Sequence, residues 1–156
     1  SSLTKAYGLS GLRCGWILAE PELARRMWLM NDLMGVIPAH AAERLSVLAL
    51  EQIRAIAARA KGILEPNRTL LHAFLDRHPQ LEGGRIAHGT VSFPRLPGVD
   101  VDAFCGRLLE RHGVSVVPGS FFEAPEHLRI TIGCAPETLQ GGLEGLAAGL
   151  AELDRG

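Results

Sequence analysis

With 156 residues, 47% of them hydrophobic, the chain has the length and apolar content to bury the core of one domain, which excludes a disordered segment. Sixteen Lys plus Arg against 17 Asp plus Glu leave a formal net charge of −1. That balance gives no broad field to draw nucleic acid or an anionic membrane.

Cys14, Cys105 and Cys134 are scattered, without CxxC or His-paired spacing, so neither a disulfide framework nor a zinc site is expected. They point to a reduced, cytoplasmic protein. The first residues carry no Met, basic n-region or apolar h-region, and no stretch approaches the roughly 18 uncharged apolar residues of a membrane helix. A soluble protein is expected, with residues preceding Ser1 in the full gene product.

The opening stretch, SSLTKAYGLSGLRCGW, sets the hydroxyls of Ser2 and Thr4 beside Lys5 and places Arg13 beyond Gly8 and Gly11, which permit tight turns. Within it, GLRCGWILAE reads as a short buried strand ending at Glu20-Pro21, with Pro21 in the first turn of a helix. Leu23, Met27, Met30 and Met34 then recur at helical spacing as a packing face, until Gly35 and Pro38 interrupt it.

Residues 39–78 form the longest helical pattern, with Leu45, Leu48, Ile56, Ala60, Ile63, Leu71, Phe74 and Leu75 as candidates for burial. Pro66 lacks a backbone donor and its ring crowds the carbonyl of Gly62, which predicts a kink or break near 62–66. A long bent helix of this kind commonly links two domains.

After HPQLEGG the rhythm changes. GTVSFP reads as a strand, DVDAFCGRLLERHG as a helix capped by Asp100 and stopped by Gly113, and VSVV as a second strand. HLRITIG alternates: Leu128, Ile130 and Ile132 share one face, and His127, Arg129 and Thr131 share the other, away from the core. The last helix starts at Pro136 and docks through Leu139, Leu143, Leu146, Leu150 and Leu153. Gly141, Gly145 and Gly149 also share a helix face, consistent with close packing or with a Gly-rich composition.

A lysine becomes a covalent catalyst when its amine condenses with a carbonyl, ordinarily that of an aldehyde cofactor whose phosphate is anchored nearby. Lys5 supplies such an amine, and the planar fork of Arg13 suits a phosphate. On these residues the stretch SLTKAYGLSGLRCGW resembles the pyridoxal-phosphate attachment segment of class I/II aminotransferases, the fold-type I enzymes related to aspartate aminotransferase. In that family a Ser stands three residues before the lysine and an Arg eight after it, as Ser2 and Arg13 do here. VSVVPGSFFEAPEHLRITIG is similar to the family's C-terminal segment, in which a Val-Pro-Gly-Ser loop precedes a strand carrying the arginine for the substrate α-carboxylate.

The resemblance implies that Lys5 carries pyridoxal 5'-phosphate covalently, that Ser2 and Arg13 bind its phosphate, and that Arg129 binds the substrate carboxylate. Thr4 matches a hydroxyl position. Tyr7 and Trp16 fit family aromatic positions and read as packing residues, and Phe121 and Phe122 either border the pocket with Ser120 or pack in the core. Thr90 and Val91 stand where many members have an aromatic run. The six His residues show no metal spacing, and Asp100, Asp102 and Glu110 read as capping and solvated charge.

The implied fold class is α/β, the C-terminal portion of a fold-type I enzyme. Residues 1–20 are the remnant of the large cofactor-binding domain, 21–78 the connecting and interdomain helices, and 79–156 a small α+β domain with a short sheet packed on helices. The family's ring-binding Asp, Tyr, Asn and stacking aromatic lie upstream of its lysine, so the chain by itself is expected to be inactive. The full-length protein is expected to be a homodimer that transfers an amino group between an amino acid and a 2-oxo acid. Elimination, cyclisation or decarboxylation on the same cofactor is the alternative, as is a non-catalytic sensor domain of a transcriptional regulator.

Overall fold

The computed structural model of the chain describes residues 1–35, 37 and 39–153. Pro38, one of the two predicted helix interrupters, lies outside the described residues. The chain divides into two compact units, Ser1–Lys61 and Gly62–Gly156.

The first unit contains a 3₁₀ turn at Ser10–Leu12, helix α1 (Pro21–Met34), helix α2 (His40–Glu51) and the start of helix α3 (Ile53–Arg77). Pro21 opens α1 as predicted. Its missing N–H costs nothing there, because the first turn's N–H groups have no intrahelical acceptor.

Three expectations fail in this unit. The strand read over 11–20 does not form: Gly15 alone bridges, to Ser2, and Leu18 is 91% exposed. A strand is held by a row of backbone partners, and this stretch finds them only over Cys14–Trp16. The Leu/Met face of α1 buries nothing, with Met34 80% exposed, so helical periodicity marks an apolar face here without a partner inside the unit. The long helical pattern breaks at Gln52, leaving Leu45 and Leu48 exposed on α2, while of the kink or break expected near 62–66 no break occurs, α3 being continuous through Pro66. A proline forfeits a helical hydrogen bond, but Asn67, Leu71, Phe74 and Leu75 on the turns that follow are buried and hold the helix in register.

The second unit holds the core. Strand β3 (Leu128–Thr131) is central, pairing antiparallel with β1 (Val91–Ser92) in the register Val91–Thr131 and with β2 (Val117–Pro118) in the register Val117–Arg129. The second predicted strand therefore forms only at the end of VSVV and runs into Pro118. The side-chain amide of Asn67, itself fully buried, donates to Ile132 O at 2.9 Å and Cys134 O at 2.8 Å, fastening the exit of β3 to α3.

Helix α4 (Val101–His112) is capped as its sequence dictates. Asp100 Oδ1 accepts from Ala103 N at 3.0 Å, and Gly113 ends the helix at φ 65°, a conformation that is costly for a residue with a Cβ. Helix α5 (Pro136–Leu153) buries Leu139, Leu143, Leu146 and Leu150 against the same core. Cys105 is buried there, and desolvation, with the nearby charge of Asp102, pushes its thiol up to about 11.

The glycines of α5 divide by environment. A Cβ at Gly145 would stand 2.5 Å from Val114 Cγ2, and one at Gly149 2.8 Å from Leu108 Cδ1, whereas Gly141 faces open space. Gly141→Ala is expected to raise stability by about 0.5–1 kcal/mol through helix propensity alone. Gly145→Val, forced against a stiff β-branched neighbour, is expected to lower it by about 1–3 kcal/mol. Thermal melts of the two variants should move in opposite directions.

Candidate active site

The opening residues close a loop. Ser1 and Trp16 exchange backbone hydrogen bonds, with Ser1 N to Trp16 O at 2.7 Å and Trp16 N to Ser1 O at 2.8 Å, and Leu3 N donates to Cys14 O at 3.0 Å. Leu3 is fully buried and anchors the loop base. Residues 4–13 are thus held at both ends, and Lys5 and Arg13 stand on the same closed segment. Inside it Gly8, at φ 71°, accepts a turn in which its N–H reaches Lys5 O at 3.0 Å.

The loop carries four polar side chains, those of Ser2, Thr4, Lys5 and Arg13. Ser2 Oγ and Thr4 Oγ1 converge to 2.6 Å. Lys5 and Arg13 are exposed, and among the described residues neither forms an ion pair. Arg13 has φ 51° and ψ 28°, a left-handed conformation that costs a non-glycine residue about 1–3 kcal/mol. Such strain persists only where the surroundings impose it, and here it sets the start of the Arg13 side chain at the loop's end. A donor set of two hydroxyls, an ammonium and a guanidinium fits a phosphorylated aldehyde: three of these groups can bind phosphate oxygens and the amine can join the carbonyl.

The unit's concave surfaces lie beside this loop. A cleft of about 370 Å³ is lined by Arg13, Cys14, Asn31 and Ser46, and one of about 690 Å³ by Trp16, Met27 and Trp28. Lys5 lines neither, so the chemistry of the donor set, and not cavity size, marks the site. Arg59 Nη2 also approaches the loop, 3.5 Å from Tyr7 O. Sequence reasoning missed it, because nothing local in α3 announces a contact with a residue 52 positions earlier.

In the second unit, strand alternation places Arg129 as predicted, half-buried between the buried Leu128 and Ile130. Among the described residues it forms no ion pair. Arg95 shows the contrast. Its Nη2 lies 2.8 Å from Glu126 Oε2 and its Nη1 3.1 Å from Glu82 Oε2. The Arg95 hydrogen bond, aided by the Gly98 N–H, holds the Glu126 carboxyl below the usual carboxylate range. Because the folded value lies below the unfolded one, what the Glu126 carboxylate contributes is present at neutral pH and lost in acid. Arg95 is thus a structural arginine with its charge satisfied, and Arg129 is a cation without a carboxylate partner among the described residues.

Phe121 and Phe122, for which pocket and core readings both stood, are both exposed, at 76% and 46%. They belong to a 3₁₀ turn, Gly119–Phe122, whose first residue has no room for a side chain: a Cβ at Gly119 would stand 2.1 Å from Ala124 O. No cluster of three or more His, Cys, Asp or Glu side chains that could hold a metal ion occurs among the described residues. Among the described residues no helix is long and apolar enough to cross a membrane.

A closed loop carrying a lysine, two hydroxyls and an arginine, and a further arginine on a short antiparallel sheet, agree with the resemblance to class I/II aminotransferases. The sequence matches the family described as aminotransferase class I and II over residues 1–146, and the chain belongs to that family, whose cofactor is pyridoxal phosphate. It is 32% identical to capreomycidine synthase of Streptomyces vinaceus over 166 aligned positions, covering 99% of this chain and 40% of that protein. Among solved structures it is similar to a pyridoxal-phosphate-dependent aminotransferase from Streptococcus suis, with TM-score 0.91 and 32% identity over 97% of this chain and 41% of the other. It is also similar to the pyridoxal-phosphate-dependent cyclase OrfR, with TM-score 0.85 and 30% identity over 96% of this chain and 42% of the other. The chain therefore spans about two fifths of the length of the proteins it matches.

Proposed function

We propose that this chain is the C-terminal part of a pyridoxal-phosphate aminotransferase that exchanges an amino group between an amino acid and a 2-oxo acid. The observation that carries the proposal is the closed loop on which Ser2, Thr4, Lys5 and Arg13 stand together. In this reading Ser2 and Arg13 bind the cofactor phosphate, Lys5 holds the cofactor covalently, and Arg129 pairs with the substrate α-carboxylate through two parallel hydrogen bonds. When bound, the cofactor supplies an electron sink for the substrate α-carbon. Lys5 Nζ would be the base that takes the proton of that α-carbon.

Residues 1–20 would then complete a large cofactor-binding domain, 21–78 connect it, and 79–156 form the small domain. The 156 residues alone do not transaminate, because the groups that activate the cofactor ring belong to the rest of the protein. The working form is a cytoplasmic homodimer. The uncovered apolar side chains of α1 and α2, among them Trp28, Leu29, Leu33 and Leu45, support burial in a larger assembly.

Cyclisation on the same cofactor is the second reading, favoured by the similarity to a cyclase structure. One experiment separates the two. The full-length protein is given single amino acids with and without a 2-oxo acid, and the amino group is followed. Transamination predicts that it appears on the acceptor. Consumption of the amino acid with the acceptor untouched would refute transamination.

A further inference from the structure

Among the described residues Arg129 forms no ion pair, yet its position is defined. Its guanidinium carbon lies 5.3 Å from the centroid of the Phe122 ring. The ring is itself fixed: it meets Phe93 edge-to-face, with centroids 5.8 Å apart at 89°, and Phe93 stacks on His127 at 4.8 Å and 19°. His127 stands two residues before Arg129 on the same side of the strand, so the three contacts run from the strand through Phe93 and Phe122 and back to it.

The turn that carries Phe122 is equally constrained. Gly119 N donates to His127 O at 2.7 Å, Ala124 N to Gly119 O at 3.0 Å, and Ser120 Oγ to Asp102 Oδ1 at 2.7 Å. Glu123, at φ 58°, closes the turn in the left-handed region. A large aromatic side chain is here held rigidly and half-exposed, with a guanidinium over its face.

We infer that Phe122 is a positioning residue for Arg129. An arginine paired to a carboxylate of its own protein, as Arg95 is, has no hydrogen-bonding edge to spare for a ligand. A ring face attracts the cation without using any N–H donor. It restricts the guanidinium while its N–H edge stays available for a bidentate carboxylate, which lowers the ordering cost of binding. The inference rests on the reading of Arg129 as the carboxylate-binding residue.

The test uses the full-length protein loaded with cofactor, with propionate as a carboxylate that does not react, titrated by calorimetry alongside steady-state kinetics. Phe122→Leu, which keeps apolar bulk but removes the π face, is expected to weaken propionate binding about 5-fold and to raise KM for amino acid and 2-oxo acid by a similar factor. Its kcat should stay within about 2-fold, as loss of uniform binding requires. Phe122→Tyr, which restores a ring face, is expected to bind propionate like the parent. Unchanged propionate affinity in Phe122→Leu, or a Phe122→Tyr variant as weak as Phe122→Leu, would overturn the inference. Arg129→Lys separates the two readings. If it loses propionate while Phe122→Leu does not, only the role of Phe122 fails, and if it keeps full affinity, the assignment of Arg129 fails with it.

Discussion

Lys5→Ala in the full-length protein is expected to lower amino-group transfer by at least about 10³-fold, since the variant loses both the covalent hold on the cofactor and a proton-transfer group that alone is commonly worth about 10²–10⁴. The fold should not change. Lys5 is exposed and, among the described residues, forms no ion pair, while the loop is held by Leu3 and by the backbone pairing of Ser1–Leu3 with Cys14–Trp16. Melting temperature should therefore stay within a few degrees of the parent, since exposed substitutions usually stay within about 0.5 kcal/mol. Lys5→Arg is the informative companion: it keeps the charge but carries a guanidinium that stays protonated, so it should be as inactive as Lys5→Ala. A second readout is independent of turnover. Borohydride reduction of the loaded protein followed by peptide mapping should leave the cofactor on the peptide containing Lys5, and on no peptide in Lys5→Ala. Attachment at another lysine would remove Lys5 from the mechanism.

Phe104→Ala should have the largest effect on stability. Phe104 is 2% exposed on α4 and packs beside Gly149 of α5, where its ring lies 3.5 Å from the place a Cβ would occupy. Truncating a buried Phe to Ala typically costs about 3–5 kcal/mol, through lost transfer energy and the cavity left behind. For a domain the size of the unit Gly62–Gly156 each kcal/mol shifts the melting temperature by about 4–8 °C, so a drop of about 12–40 °C is expected. The loss is a large share of the roughly 5–15 kcal/mol that holds an ordinary domain together. Phe121→Ala is the control. Its ring is 76% exposed, and its melt should match the parent within a few degrees. Equal melts for Phe104→Ala and the parent would mean that α4 is not seated over α5 as described.

The elements that could be read directly from the chain share a property: their signals are local. Asp100 and Gly113 bracket α4 because a cap satisfies backbone groups within one turn of itself. The alternation of Leu128, Arg129 and Ile130 fixes which side of β3 is buried, because the period of a strand is two whatever surrounds it. The leucines of α5 form one stripe for the same reason at a period of 3.6. The spacing of Ser2, Lys5 and Arg13 belongs to this class as well, and a single closed segment carries all three side chains.

Other features depended on residues far away in the chain. A helix runs through Pro66 because Leu71, Phe74 and Leu75 are buried, and no local rule for proline contains that burial. The apolar face of α1 is visible as a pattern, but a pattern does not say what covers it. Gly141 and Gly145 are equivalent in sequence and opposite in environment, because only the second meets Val114. The residues around the candidate site divide in the same way. The sequence by itself determined that Lys5 and Arg13 lie eight positions apart and that Arg129 faces away from its own core. Only the tertiary structure decided that Arg95 is satisfied by Glu82 and Glu126 while Arg129 stands over Phe122. Alternation and spacing are properties of a backbone segment, whereas the partner of a charge is set by which distant side chain packing brings within reach.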